Sequence, residues 1–204
     1  MSSKTIHIEG LDLAGKSTIC RLLAVGQNAE KRNNSILPTG ENTVHQVAER
    51  FRKSKGLNDI EIGWLYYGSL LIDLRNYKPS EELVIQDSTL LLRSIAYHSV
   101  FGDKALSEKF KELIPVHPRF GFSCLLKASD EVRISRLQGR ISRGNDNPED
   151  FLIQKAPQKF HEMEDILENL ITEYFGGIVI DSSSLEKEGE KERIVNLILE
   201  KANV

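Results

Sequence analysis

The chain is short of the residues and patterns that mark several large classes of protein. It has two cysteines in 204 residues, Cys20 and Cys124, too few for a disulfide scaffold. They fall in an expected helix and an expected strand, so both read as buried reduced thiols rather than a disulfide or metal pair. There is no excess of positive charge. Lys and Arg number 27 against 30 Asp and Glu, a formal net charge of −3, so a broad nucleic-acid surface is not indicated. No apolar run is long enough to span a bilayer, and the start Met-Ser-Ser-Lys has no apolar signal region. The expectation is a cytoplasmic protein in a reducing setting, with no membrane and no nucleic-acid partner. The five histidines show no metal-ligand spacing. Repeats, low-complexity tracts and an obvious interdomain linker are missing too. About 200 residues is the size of one domain with a sizeable core, so one domain over 1–204 is expected.

What the chain does have is the run Gly10-Leu11-Asp12-Leu13-Ala14-Gly15-Lys16-Ser17-Thr18. It fits the phosphate-loop pattern G-x-x-x-x-G-K-[ST]. Glycines let the backbone bend so that N–H groups turn inward on phosphate oxygens. The lysine reaches the β- and γ-phosphates, and the serine hydroxyl binds Mg²⁺. The context is right for it. Ile6 and Ile8 alternate ahead of the loop as in a strand, and Ile19, Leu22 and Leu23 follow at helical spacing.

Five segments read as strands: 4–9, about 33–37, 83–87, 120–127 and 177–181. Helices are expected over 43–53, 59–75, 90–100, 104–113, 130–140, along an amphipathic stripe from Phe160 to Tyr174, and over 188–201. Strands alternating with helices imply an α/β fold, a five-stranded parallel sheet covered by helices on both faces. Ligands of such folds bind at the carboxyl ends of the strands, where Glu9, Asp87 and Asp181 stand.

Several side chains there suit phosphoryl transfer, which needs positioning and charge neutralisation. Lys16, Ser17 and Thr18 line the phosphates. Asp12 either faces an acceptor hydroxyl or a metal-bound water, or bonds its own backbone in a turn. Asp87 is placed for metal or acceptor, and Asp87 or Ser88 also suits the N-cap of the following helix. Arg133, Arg136, Arg140 and Arg143 recur every three or four residues and run into Gly144-Asn145-Asp146-Asn147-Pro148. They form either a basic lid over phosphates, about 137–150, or a solvated basic face. Trp64, Tyr66, Tyr67 and Arg75 lie on one expected helix, as an acceptor wall or as core aromatics. His98, beside Tyr97, is the one histidine placed near the site.

The chain resembles thymidylate kinase and the wider nucleoside monophosphate kinase group. Glu9 to Thr18 is close to that family's EGLDGAGKST. Pro38 and Gly40 fall where the family has REPGG, Ala96-Tyr97-His98 resembles its AYQ, and Leu125 to Val132 with Arg136 resembles the approach to its lid. Val179-Ile180-Asp181 resembles the final strand. The resemblance implies a three-layer P-loop kinase fold and a homodimer. ATP would be held by the loop (Gly10, Asp12, Leu13, Ala14, Gly15, Lys16, Ser17, Thr18) with Arg136 and Asp181 bordering it. Mg²⁺ would sit at Ser17 and Asp87. Lys16, Asp87, Arg140 and Arg143 would be catalytic. Some members carry an arginine where Leu13 stands, so the lid arginines would supply that charge.

The departures fall on the acceptor side. Ile36 and Leu37 replace the arginine and glutamate of REP, and Ser88 replaces the arginine of the family's DR. Arg75 is out of register with a family helical arginine. Arg93, Arg50 and Arg52 are the available substitutes. Asp12, Pro38, Trp64, Tyr67, Arg75, Arg93 and Tyr97 are the expected acceptor contacts. The acceptor is a small molecule, with dTMP or a close deoxynucleotide ranked first. A nucleoside or non-nucleotide acceptor, or a non-catalytic nucleotide-binding module, stands as the alternative.

Overall fold

A computed structural model describes residues 4–204. Its centre is a sheet of five parallel strands: β1 (Thr5–Glu9), β2 (Glu30–Asn34), β3 (Val84–Thr89), β4 (Phe122–Lys127) and β5 (Ile178–Asp181), in the order β2-β3-β1-β4-β5. Parallel neighbours need crossovers, and helices supply them. These are α1 (Lys16–Gly26), α2 (Thr43–Ser54), α3 (Asp59–Asn76), α4 (Leu90–Val100), α5 (Lys104–Lys111), α6 (Asp130–Ile141), α7 (Leu152–Lys155), α8 (Pro157–Asn169) and α9 (Glu190–Ala202). The α/β sandwich with a covered parallel sheet is the architecture the alternating pattern implies.

Two apolar clusters hold the layers together. On one face Ile6, Ile8, Ile85, Cys124, Leu126 and Ile180 pack on Ile19 and Leu23 of α1 and on Ile194 and Ile198 of α9. On the other, Leu91, Leu92 and Ile95 of α4 meet Phe110, Phe160, Leu167 and Ile171. Both cysteines are buried and free, and burial pushes both thiols well above the ordinary range. The stripe from Phe160 begins in α8 and finishes as a π-helical turn over Leu170–Tyr174, which reaches β5 after one more bend.

The differences from the sequence reading that matter for the site lie at β2, at the end of β3 and at His98. The second strand lies at Glu30–Asn34, not at 33–37. As an edge strand it needs no apolar alternation, and only Arg32 of its five residues is buried. Ile36 and Leu37 follow it in a buried loop, where the Ile36 N–H donates to Asp73 and Arg32 donates to the Ile36 carbonyl. The third strand continues through Ser88, which takes a left-handed φ of 63°. The α4 cap is therefore Thr89, whose hydroxyl accepts the Leu92 N–H, and not Asp87 or Ser88. His98 is buried between α3 and α5, stacked on Phe110, with Gly63 packed against it. It is a core residue, away from the phosphate loop.

Below the sheet's amino end, His7, His117, Phe120 and Phe175 form a buried cluster of rings. Burial pulls the His117 imidazole down to about 3, against a bond to the Pro118 carbonyl and with His7 and Arg119 adding to the depression. The folded state then binds fewer protons than the unfolded chain between pH 3 and 6.5. Stability is present in full above pH 6.5 and lost as pH falls through that window. The urea midpoint should decline from pH 7 to pH 5, and His117→Phe should flatten that decline. An equal slope in both proteins would contradict this origin.

Candidate active site

Helix α1 starts differently from the five helices that follow it, although α7, α8 and α9 share its lack of a side-chain cap. Helices α2 to α6 each begin with a side-chain cap: Asn42, Asn58, Thr89, Asp103 and Ser129. Helix α1 begins at Gly15, with a left-handed φ of 85° and no side-chain cap. The Thr18 N–H turns back to the Gly15 carbonyl, and the Lys16 and Ser17 N–H groups ahead of it stand where the helix dipole favours an anion. Gly15 also packs against Leu185, which any side chain there would strike. Gly10, at φ 154°, brings the backbone so close to β4 that a Cβ would lie 2.7 Å from the Leu126 carbonyl oxygen.

The loop is held from behind by its carbonyls. Arg93 Nη1 donates to the Gly10 carbonyl at 2.9 Å, and Arg133 Nη1 to that of Asp12 at 2.6 Å. Arg136 Nη1 donates to Leu13 at 2.8 Å, and the Ser182 hydroxyl to Ala14 at 2.7 Å. Four carbonyls are drawn outward, which favours inward-facing N–H groups as an anion cradle requires, while the Gly10 N–H is bonded to Glu9 and the Ala14 N–H to the Leu11 carbonyl. Leu13 takes a left-handed φ of 67° and buries its side chain in the core, so it takes part through its backbone. Arg136 is spent on this frame, with a second bond to the Ser182 carbonyl and an ion pair to Glu186. Arg133 is fully buried, reaching Glu164 and Ala128 as well. Sequence spacing alone gave no sign that these two arginines face the loop's back.

Lys16 Nζ lies 2.7 Å from Asp87 Oδ1, and Lys31 Nζ 2.8 Å from Oδ2. Burial would raise the Asp87 carboxyl, but the two ammonium groups outweigh it and hold it below the ordinary range. Ser17 is exposed in the first turn of α1. Glu9 is buried and bonded by the Gly10 N–H, the Ser88 hydroxyl and the Thr89 N–H, which staples the ends of β1 and β3. Despite burial, His7, Arg93 and Lys16 hold its carboxyl low. Arg140 borders the small space over the loop, about 60 Å³, together with Leu11 to Thr18. Its guanidinium bonds Asp150. Arg143 is exposed beyond the end of α6. Asp181 is exposed at the carboxyl end of β5, where it accepts the Ser183 N–H.

The expected acceptor residues are spread more widely. Asp12 Oδ2 stands 3.6 Å from Arg93 Nη2, so these two are brought together at the loop. Tyr97 donates to Asp59 at 2.6 Å, and Tyr67 packs edge-on against Phe110 and Trp64. Trp64 is 49% exposed. Arg75 stands eleven residues further along α3, roughly 16 Å at the helical rise, so Trp64 and Arg75 do not form one wall. Pro38 is half-buried in the loop after β2, which Asp73 anchors through Ser35, Ile36 and Asn42. Sequence reasoning missed one cluster here. Tyr66 bonds Glu49, which pairs with Arg52, which in turn pairs with Glu149 of the expected lid at 2.8 Å.

No protein-family model matches the chain, and no curated protein matches it. Solved structures do. A deoxyadenosine kinase from M. mycoides, solved with dCMP and dCDP bound, is 19% identical over 98% of both chains, with a TM-score of 0.63. The thymidylate kinase of Candida albicans is 16% identical over 98% of this chain and 90% of its own, also at 0.63. That of Ehrlichia chaffeensis is 17% identical over 98% and 100%, again at 0.63. With its strand order, its loop between β1 and α1 and its near-complete overlap with these structures, the chain has the thymidylate kinase-like P-loop fold of nucleotide and nucleoside kinases.

Proposed function

We propose that the protein is an ATP-dependent phosphotransferase that moves the γ-phosphoryl of ATP to a nucleoside monophosphate, with dTMP or a related deoxynucleotide as the first acceptor. The observation that carries this reading is the loop itself. Its carbonyls are tied outward, α1 is uncapped, and Lys16 waits on Asp87 beside it. This is a cradle for a polyphosphate. Ser17 and Asp87 offer Mg²⁺ two hard oxygen donors, the number such a cation takes when phosphates supply the rest. When bound, the cation neutralises charge on the phosphate oxygens.

The chain's own residues divide the remaining work. Lys16 leaves Asp87 for the phosphates, and the loop N–H groups hold the phosphates without reorganising. Arg140 faces the same space and adds a cation where charge moves, with Arg143 beyond it on the 137–150 lid. Arg136 and Asp181 frame the donor's edge. Arg93 and Asp12, on the far side of the loop, face the acceptor. Arg93 supplies the fixed cation for its anionic group, while Pro38, Trp64, Tyr67, Arg75 and Tyr97 are the outer residues open to test.

A second reading has an observation of its own. Both oxygens of Asp87 are taken by ammonium groups, while Asp12 is half-exposed. Asp12, whose one ion pair is the longer contact to Arg93 at 3.6 Å, is then the carboxylate placed to accept a proton from a nucleoside hydroxyl. An acceptor panel separates the two. Mg·ATP is incubated with nucleoside monophosphates, the matching nucleosides and shikimate-type hydroxy acids, and ADP release is followed. Release should be fastest with a deoxynucleoside monophosphate. Asp12→Asn should then reduce kcat by less than tenfold, because a phosphate acceptor arrives already ionised. Faster turnover of a nucleoside, lost in Asp12→Asn, would establish the second reading instead.

A further inference from the structure

Lys31 has no counterpart among the residues a phosphate loop requires, yet it reaches the centre of the site. It stands on β2 opposite Ile85, and it is Asn33 that stands opposite Asp87. Its side chain therefore extends two residues along the strand, about 6–7 Å, to put Nζ 2.8 Å from Asp87 Oδ2. That carboxylate is 3% exposed and the lysine side chain 34%. The strand beneath Lys31 is rigid and fully paired to β3 over Glu30 to Asn33. Lys16, by contrast, belongs to the loop and has a second duty on the phosphates.

We propose that Lys31 is a positioning residue, a fixed counter-charge that holds Asp87 by Oδ2, leaves Oδ1 to the loop, and makes nucleotide binding only weakly dependent on a divalent cation. The proposal rests on the donor-site reading given above. When phosphates draw Lys16 away, Asp87 loses one of its two ammonium partners. Without Lys31 it would then be a nearly buried carboxylate beside phosphate oxygens, and the repulsion would fall on any nucleotide that arrives without metal. With Lys31 in place, the carboxylate stays neutralised and its orientation is kept. The share of metal-to-nucleotide coupling that runs through Asp87 is then reduced, and the coupling is a measurable ratio of affinities.

The test compares ADP binding with and without Mn²⁺ in the native protein, in Lys31→Met and in Lys31→Arg, by calorimetry and by the Mn²⁺ EPR signal. In Lys31→Met, metal-free ADP should bind about tenfold more weakly. Mn²⁺·ADP should bind within about twofold of native, so the metal-to-nucleotide coupling grows. Lys31→Arg should restore the native ratio. An unchanged ratio in Lys31→Met overturns the proposal, since a merely structural ion pair would weaken both forms alike or neither. A second measurement needs no nucleotide. The urea midpoint of Lys31→Met should fall, and the fall should vanish in an Asp87→Asn background. A fall that persists there counts against the pairing. If the native protein binds no ADP in any form, the donor-site reading fails, and the unchanged Asp87–Lys31 coupling in urea would show that the two failures are separate.

Discussion

Lys16→Ala is expected to lower kcat by at least 10²–10³-fold, the usual cost of removing one preorganised charge from a developing transition state. The structure explains why the loss should appear in the rate and not in the fold. Lys16 is held by one carboxylate in this state, and Asp87 keeps Lys31 when Lys16 is removed. The loop's shape comes from elsewhere. Arg93, Arg133, Arg136 and Ser182 hold its carbonyls, and none of them touches Lys16. Asp87 is nearly buried, so losing one of its two ammonium partners should cost about 1–2 kcal/mol, well short of unfolding the domain. Steady-state kinetics with saturating Mg·ATP and a urea titration together check this. A variant that keeps native kcat would remove Lys16 from the mechanism. One that loses activity by unfolding would instead make the lysine a structural brace.

The opposite pattern is expected at Arg133. Its side chain is fully buried and makes three kinds of bond at once: to the Ala128 carbonyl, to the Asp12 carbonyl and to Glu164. The guanidinium also lies over the Phe160 ring at 4.9 Å. Burial pushes the Arg133 guanidinium down and the Glu164 carboxyl up, each against the pull of the other. Such a pair adds little over a well-packed apolar replacement, but breaking it leaves a buried charge without a partner. Arg133→Ala should therefore destabilise by about 3–5 kcal/mol, large against the whole stability of a domain. The double variant Arg133→Met with Glu164→Leu should recover most of that loss. It should not recover activity, because the Asp12 carbonyl would still lack its donor and the loop would lose one of its four ties. Urea midpoints and kcat for the three proteins separate the two effects. Full recovery of activity in the double variant would mean that the tie at Asp12 is dispensable.

Arg133 and the arginines that follow it on α6 also show where sequence reading ends. Arg133, Arg136, Arg140 and Arg143 share a spacing, and spacing places them on related faces of one helix. It does not say that the first is inside, the second behind the loop, the third over it and the fourth in solvent. That sorting depends on how α6 lies against the loop and α8, a tertiary matter. The loop, the parallel sheet and the long helices were legible because each has a strong local signal: glycines at fixed offsets, β-branched runs and apolar residues at helical spacing. β2 was not. Its residues Glu30-Lys31-Arg32-Asn33-Asn34 carry no apolar alternation, and the nearby Ile36-Leu37 drew the strand three residues late. That shift hid Lys31, which the late register leaves outside the strand. Ile36 and Leu37, which stand where the family has the arginine and glutamate of REP, are buried in a loop anchored by Asp73.

The acceptor half is the part least written in short motifs. The cations proposed or available for it, Arg93 and Arg52, each already face a carboxylate: Asp12, and Glu49 with Glu149. A phosphate acceptor would enter by exchanging with one of these carboxylates, which makes the side chains' pairing a part of specificity. The Arg52–Glu149 pair joins α2 to the segment expected to close as a lid.

Phosphoryl transfer itself is tested most directly by following the γ-phosphorus of Mg·ATP in the presence of dTMP and the other deoxynucleoside monophosphates by ³¹P NMR, with mass spectrometry of the products. The account predicts ADP and a deoxynucleoside diphosphate appearing in equal amounts, and neither appearing with Lys16→Ala. A folded protein that binds Mg·ATP and passes phosphate to none of the offered acceptors, or only to water, would contradict it.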